Sequence, residues 1–183
     1  ITHDLRSPLS SMLKWIEYAK DSETLEEKLQ NLENASNNGK MLMTLINDIL
    51  DYSLIKNGKF KVNYTKFPLE LLLKESIDLM KIQADLKEIK ITNQNSCPKA
   101  MNLISDFTRM KQILYNLIGN SIKFSKKGGE IILSLENVTT EKNLIKISIS
   151  DNGVGIKPEI IQKLGQPFQS YDYTGNLNRE GVG

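Results

Sequence analysis

His3 is the only histidine of the 183-residue chain, and its neighbours suit it to group-transfer chemistry. It lies on a predicted helix, and about 200° of helical rotation separates it from Ile1 on the apolar stripe, so we expect it to face solvent. The adjacent Asp4 can accept the proton of Nδ1, which leaves the lone pair of Nε2 free as a nucleophile. Ser7 lies one turn further along on the same face. This pattern favours a nucleophilic histidine, with an ordinary surface histidine as the alternative.

A second group of polar side chains lies on a predicted helix over residues 106–124. Asn116, Asn120 and Lys123 fall within about 60° of one another on the helical wheel, beside an apolar face. Carboxamide oxygens can ligate a hard cation such as Mg²⁺, and an ammonium group can meet phosphate oxygens. A solvated polar face is the alternative, so this stripe needs a second feature to support it.

The sequence DNGVG supplies that second feature at the end of a predicted strand. Asp151 can accept a hydrogen bond from an exocyclic amine, while Gly153 and Gly155 allow the backbone to approach a flat ring or a phosphate closely. A plain hairpin turn would explain the same residues. Further on, residues 165–183 are polar and rich in glycine, which predicts either a mobile loop that closes over a ligand or a plain surface loop.

Two long amphipathic helices are predicted to carry His3. The first ends near Lys20, and Thr24 with Glu27 forms a capping box that begins the second, which Asn57-Gly58 ends. An antiparallel hairpin cannot cover its own apolar stripe on both sides, so we expect it to dimerise into a four-helix bundle. The second helix is predicted to carry one continuous apolar pattern, formed by Leu25, Leu29, Leu32, Leu42, Leu45, Ile49 and Tyr52.

The pattern changes at residue 59, where a second domain is expected to begin. Phe60, Val62 and Tyr64 alternate as in a strand, and a helix with Pro68 near its start follows. Strands and helices then mix without a regular βαβ rhythm, which favours an α+β sandwich over a doubly wound sheet. The remaining predicted elements are strands at 88–92, 100–104, 130–136 and 144–150, and helices at 106–124 and 158–164.

Composition excludes several classes of protein. The 24 basic and 22 acidic residues give a net charge of +2 with scattered lysines, so we expect no nucleic-acid partner. A single cysteine, Cys97, allows no internal disulfide, and no apolar run is long enough to cross a bilayer. We therefore expect this part of the protein to be cytoplasmic. The absence of an initial Met suggests a piece of a longer protein, which could carry a membrane anchor elsewhere.

Together these motifs resemble the transmitter core of a sensor histidine protein kinase over essentially all 183 residues. ITHDLRSPL resembles the H box of that family, DFTRMKQILYNLIGNSIKFS its N box, DNGVGI its first glycine box, LGQPFQ its F box and EGVG the opening of its second glycine box. The resemblance implies a dimerisation and histidine-phosphotransfer hairpin at 1–58, a linker at 59–66 and an ATP-binding domain of the Bergerat or GHKL fold at 67–183. That α/β sandwich would be incomplete at its C-terminal end.

The resemblance also implies a role for each motif residue. His3 would be the phosphoacceptor, Asp4 the acid–base residue beside it, and Ser7 would hold the position that orients water for dephosphorylating the regulator. Ser121 stands where Ala is commoner, a change expected to matter little. The implied contacts of the nucleotide site are Asn116 and Asn120 for Mg²⁺ and phosphate, Lys123 for phosphate, Asp151 for the adenine amine, Gly153 and Gly155 along the nucleotide, and Phe168, Gly181 and Gly183 in the lid.

The implied function is that of a sensor histidine kinase in a two-component phosphorelay. A homodimer would phosphorylate itself from ATP, under an upstream sensor domain, and pass the phosphoryl group to a response-regulator receiver domain on a separate or the same polypeptide. Phosphatase activity on the regulator is a further implication. The alternatives are a nucleotide-binding pseudokinase that acts as a scaffold, and a GHKL-type ATPase. Asn116 speaks against the ATPase, because related ATPases place a water-activating glutamate there.

Overall fold

The computed structural model describes residues 2–95, 101–138, 144–162 and 164, which form two compact units. We call residues up to Lys61, with the described residues from Glu159 on, the hairpin unit, and Val62–Pro158 the sheet unit. The elements are, in chain order, α1 (Thr2–Asp21), α2 (Leu25–Lys56), β1 (Thr65–Pro68), α3 (Leu69–Leu86), β2 (Lys90–Asn95), β3 (Asn102–Ser105), α4 (Phe107–Phe124), β4 (Glu130–Val138), β5 (Leu144–Asp151) and α5 (Pro158–Ile161).

The hairpin unit consists mainly of α1 packed against α2. The predicted capping box is confirmed, because the backbone N–H of Glu27 donates to Thr24 Oγ1 at 3.2 Å and that of Thr24 donates to Glu27 Oε2 at 3.4 Å. The predicted end is confirmed as well, with Asn57 as C-cap and Gly58 in the left-handed region at φ +63°. These local signals set the length of α2.

The apolar side chains of α2 divide between two faces, so the prediction of one continuous stripe is wrong. Leu45 is buried and Ile49 is half-buried, whereas Leu25, Leu29 and Leu32 are 50–73% exposed. The ten residues between Leu32 and Leu42 turn the helix by about 1000°, which moves the stripe roughly 80° around the axis. A second apolar face of α2 is therefore left uncovered by α1.

The sheet unit has the α+β organisation expected from the sequence. β4 pairs in parallel with β2 and antiparallel with β5, and β1 pairs antiparallel with β3 in a separate two-stranded sheet. α3 and α4 pack against each other and against the three-stranded sheet. The side chains at the centre of this core are almost fully buried: Leu69, Leu72, Leu73, Met80, Ile118, Ile131 and Leu133.

The strand predicted from the alternation of Phe60, Val62 and Tyr64 is wrong. The strand lies instead at Thr65–Pro68, where the backbone finds a partner in Asn102–Ser105. Alternation describes side chains only, whereas a strand also needs a neighbour for its backbone hydrogen bonds. In the preceding segment the N–H of Phe60 donates to the Leu54 carbonyl.

The other elements lie close to their predicted positions, apart from the last one. The helix predicted to run from Pro158 to residue 164 ends at Ile161, and a turn follows in the described part. Among the described residues, no helix combines the length and the apolar character needed to cross a bilayer.

Candidate functional site

The N-terminal turns of α1 position the candidate acceptor residues. The backbone of His3 lies in the first turn, while its side chain lies outside the described part of the structure. Asp4 is half-buried and Ser7 is exposed. α1 runs without interruption through Pro8, although the nitrogen of Pro8 cannot donate a helical hydrogen bond. The side chain of Pro8 is buried.

α4 presents the predicted amide and ammonium groups on an exposed face. Its N-cap is Asp106, whose side chain accepts from the N–H of Arg109 at 3.1 Å. Asn116, Asn120 and Lys123 are all exposed. Burial of the opposite face, through Leu114, Ile118 and Ile122, fixes the rotation of the helix and so the direction of these three side chains.

Asp151, the last residue of β5, holds its carboxylate between two hydrogen-bond donors. The hydroxyl of Ser121 donates to Oδ2 at 2.9 Å, and the N–H of Gly153 donates to Oδ1 at 3.0 Å. Asp151 is nevertheless exposed. Each carboxylate oxygen can accept more than one hydrogen bond, so the group is oriented by the protein and still has acceptor positions directed to solvent.

The glycine loop after β5 lies directly on the C-terminal end of α4. A Cβ atom on Gly153 would lie 2.7 Å from the carbonyl oxygen of Phe124, so no larger residue fits without displacement. The N–H of Val154 donates to the same oxygen at 3.3 Å. Gly155 needs glycine for a different reason, since its φ is +71°. The loop and the helix that carries the amides are thus held together by backbone.

Lys87 supports the same end of α4, a role that its local sequence does not indicate. Its ammonium group donates to the carbonyl oxygens of Ile122 and Lys123, each at 2.9 Å, and lies 3.5 Å from that of Ser125. A cation at a helix C-terminus satisfies terminal carbonyls and opposes the helix dipole. The only signal for this role was a lysine after a predicted helix, which is too common to be informative.

Asn152 also has a role that the sequence did not indicate. Its Oδ1 accepts from the N–H of Glu130, the first residue of β4, at 3.0 Å. A Cβ atom on Gly129 would lie 2.9 Å from that oxygen, which explains the glycine before the strand. Within DNG, therefore, Asp151 faces solvent, Asn152 fixes the neighbouring strand and Gly153 permits the contact with α4.

Two further interactions set the electrostatics of α4. Hydrogen bonds from the backbone N–H groups of Asn63 and Arg109 lower the pKa of the Asp106 carboxyl from its ordinary value of 3.8. At the other end, the Nζ atom of Lys123 lies 5.2 Å from the centre of the Phe124 ring, a cation–π distance. The positive charge of Lys123 is thus held beside the helix C-terminus.

The donor set of α4 fits a magnesium ion bound together with phosphates. Among the described residues, no group of three His, Cys, Asp or Glu side chains could hold a metal ion by itself. Asn116 and Asn120 are one helical turn apart and exposed, and amide oxygens are suitable ligands for a hard cation when phosphates supply the negative charge. The remaining predicted contacts, Phe168, Gly181 and Gly183, lie outside the described residues.

Two family models match the chain. Residues 1–58 match the His Kinase A (phospho-acceptor) domain, and residues 105–183 match the histidine kinase-, DNA gyrase B-, and HSP90-like ATPase. The hybrid signal transduction histidine kinase L of Dictyostelium discoideum is 33% identical over 182 residues, which are 98% of this chain and 10% of that protein. The first curated relatives are much longer, and this chain spans 10–22% of their lengths.

Solved structures show the same fold. The Acinetobacter baumannii histidine kinase AdeS matches with a TM-score of 0.73 and 23% identity, over 94% of this chain and 80% of that one. The histidine kinase ThkA, solved in complex with the response regulator protein TrrA, matches with a TM-score of 0.67 and 23% identity, over 92% of this chain and 48% of that one. A phospho-acceptor hairpin followed by an ATPase-type domain defines a transmitter core. The chain therefore contains the two domains of a histidine kinase transmitter core.

Proposed function

We propose that the intact protein is a sensor histidine kinase that phosphorylates itself on His3 from ATP. The observation that carries this proposal is the Asp151 carboxylate, oriented by two donors and exposed beside the helix that presents Asn116 and Asn120. The match of residues 1–58 to a phospho-acceptor domain supports an acceptor histidine in the same chain. His3 is the only histidine of these 183 residues.

The base of ATP would be recognised by Asp151. An ionised carboxylate only accepts hydrogen bonds, so it favours the 6-amino group of adenine over the carbonyl that guanine carries at the same position. Gly153 keeps the loop against α4, so the carboxylate has a fixed distance to the amides of that helix. Preorganisation of this kind lowers the entropy that binding must remove.

The phosphates would be held by α4. Asn120 and Asn116 would ligate Mg²⁺ and contact phosphate oxygens, and Lys123 would add a positive charge at the end of the same stripe. When bound, Mg²⁺ neutralises charge on the transferred group. The amide of Asn116 cannot remove a proton from water, so it positions the nucleotide without promoting hydrolysis.

Transfer of the γ-phosphoryl group to His3 would then depend on the position of Nε2 and on removal of the proton from Nδ1. The lone pair of neutral His3 Nε2 forms a bond to the γ-phosphorus, the bond from that phosphorus to the bridging oxygen breaks, and ADP leaves with the electron pair. The proton on Nδ1 passes to Asp4. Ser7 is exposed one turn further along α1. It would orient water in a separate reaction, the dephosphorylation of a regulator.

Two protein partners complete the proposal. The exposed apolar face of α2 supports pairing with a second copy of the hairpin unit in a four-helix bundle. The phosphoryl group would pass from His3 to the aspartate of a response-regulator receiver domain, either separate or on the same polypeptide. ThkA in complex with TrrA, and the hybrid character of the Dictyostelium relative, support that partner. An upstream sensor domain would control the activity.

The test separates nucleotide binding from transfer in the intact protein with Mg²⁺. We expect His3→Gln to bind ATP with unchanged Kd, by calorimetry, and to incorporate no label from γ-labelled ATP. Asp151→Asn should raise the Kd at least about tenfold, because it loses a hydrogen bond to a charged acceptor. Asp78→Asn, at an exposed position on α3, is the matched control and should change neither quantity. Full labelling of His3→Gln, or full ATP affinity of Asp151→Asn, would contradict the assignment.

A further inference from the structure

Ser121 uses its hydroxyl differently from a comparable serine in the same unit. Ser76 on α3 and Ser121 on α4 are both buried, at 0% and 7% exposure. The hydroxyl of Ser76 donates to the Leu72 carbonyl four residues earlier in its own helix, at 2.7 Å. The hydroxyl of Ser121 instead donates to Asp151 Oδ2 on β5 at 2.9 Å. The single hydroxyl proton of Ser121 is thus donated to Asp151, the residue proposed to bind adenine.

Together with the hydrogen bond from Gly153, the bond from Ser121 ties the Asp151 carboxylate to two separate elements. Gly153 N–H, from the glycine loop, holds Oδ1, and Ser121, from the helix, holds Oδ2. With one donor alone, the carboxylate could rotate about its Cβ–Cγ bond, because that torsion is broad for Asp. With both donors, the remaining lone pairs keep one direction relative to α4. A hydrogen bond to an ionised group is also stronger than one between neutral groups.

We propose that Ser121 is a positioning residue for nucleotide binding, which orients Asp151 toward the 6-amino group of the bound adenine. This inference rests on the proposed ATP-binding function. Ser121 acts through Asp151, so its contribution exists only when the ligand carries an amine for Asp151 to hold. A residue that merely stabilised the fold would instead affect every nucleotide to the same extent.

The test compares two ligands and three variants of the intact protein by calorimetry. The ligands are ATP and purine riboside 5′-triphosphate, which lacks the 6-amino group. Ser121→Ala deletes the hydroxyl at a helical position that favours alanine, and Ser121→Thr restores it. Ser76→Ala is the matched control, because it deletes a buried hydroxyl that bonds within its own helix. Thermal unfolding of each variant establishes that it is folded.

We expect Ser121→Ala to raise the Kd for ATP about threefold to tenfold, the effect of one hydrogen bond in a partly exposed site. The Kd for purine riboside triphosphate should stay at the wild-type value, Ser121→Thr should recover at least half of the loss in logarithmic terms, and Ser76→Ala should bind both ligands normally. Weakening of both ligands alike by Ser121→Ala, or wild-type ATP affinity in that variant, would overturn the inference and leave the proposed function intact. Failure of the wild-type protein to bind ATP would overturn both.

Discussion

The hairpin unit and the sheet unit bury their apolar side chains to very different degrees. In the sheet unit, Leu72, Leu73 and Ile118 are fully buried within one core formed by two helices and a three-stranded sheet. In α2 of the hairpin unit, Leu25 is 73% exposed and Leu29 59%, on the face that α1 does not cover. The sheet unit therefore has an extensive core of its own, although Ile82 and Leu86 of α3 are 75% and 80% exposed. The hairpin unit leaves an apolar stripe of α2 that α1 does not cover.

Under the proposed function, this difference would correspond to a division of tasks. A nucleotide site needs a rigid frame, because the Asp151 carboxylate and the α4 amides must keep their distances. An acceptor histidine that serves both an ATP site and a regulator needs to meet more than one partner. In the proposed dimer, a hairpin stabilised by a second copy would change its packing without disturbing the proposed nucleotide site. Substitutions in each unit test that separation.

The core of the sheet unit should be the most sensitive region. Leu72→Ala removes a fully buried side chain and should lower the free energy of unfolding of this unit by about 2–5 kcal/mol. Leu71→Ala, at the neighbouring and 42% exposed position, should change it by less than about 0.5 kcal/mol. Urea denaturation, monitored through hydrogen exchange in β4, measures the free energy of unfolding of both variants. Equal losses for the two variants would show that α3 packs differently.

The contact of the glycine loop with α4 should be the next most sensitive feature. Gly153→Ala places a Cβ atom 2.7 Å from the Phe124 carbonyl oxygen and should cost about 1–3 kcal/mol of stability while weakening ATP binding. Gly119→Ala is the control, because its Cβ would meet only the Met80 terminal carbon at an ordinary 3.5 Å. Unfolding curves and calorimetry with ATP give the two quantities. An unaffected Gly153→Ala would contradict the close packing.

The stability of the hairpin unit should depend on protein concentration, and the stability of the sheet unit should not. Trp15, the only tryptophan, lies in α1, so its fluorescence reports unfolding of the hairpin. A tenfold increase in concentration should stabilise a dimer by about 1.4 kcal/mol. Leu29→Ser, on the exposed face, should weaken association seen by sedimentation. A Trp15 transition that does not move with concentration would remove the dimer from the account.

The N-cap of α4 should give the smallest effect, seen only in acid. Asp106 has a pKa below 3.8 because backbone N–H groups stabilise its charged form. Its contribution to stability is therefore fully present above pH 3.8 and is lost as the pH falls through the lowered pKa. Asp106→Asn should make unfolding less dependent on pH below 3.8, measured by acid titration of α4 hydrogen exchange. A wild-type slope in that variant would contradict the role of Asp106.

Features encoded by residues close together in sequence were predictable. Thr24 and Glu27 form the capping box of α2, and the apolar periodicity of α4 gave the direction of Asn116 and Asn120. In each case the signal spans no more than a few helical turns, over which helical geometry determines which side chains meet.

Features that join distant segments were not predictable. The strand expected at Phe60–Tyr64 lies at Thr65–Pro68, because its partner is contributed some forty residues later. Ser121 and Asp151 are 30 residues apart, and Lys87 is 35 residues from Ile122, whose carbonyl it binds. Serine and lysine are common surface residues, so nothing in their local sequence indicated these contacts.

The most direct test of the account is to locate the phosphate in the intact protein after incubation with Mg²⁺ and ATP. Mapping by mass spectrometry should place it on the peptide of α1 that contains His3, and brief acid treatment should release it, because a phosphorus–nitrogen bond is acid-labile. The neighbouring Ser7 and Ser10 provide an internal comparison, since phosphoserine survives acid. An acid-stable phosphate on either serine, or bound ATP with no phosphorylated His3, would contradict autophosphorylation on His3.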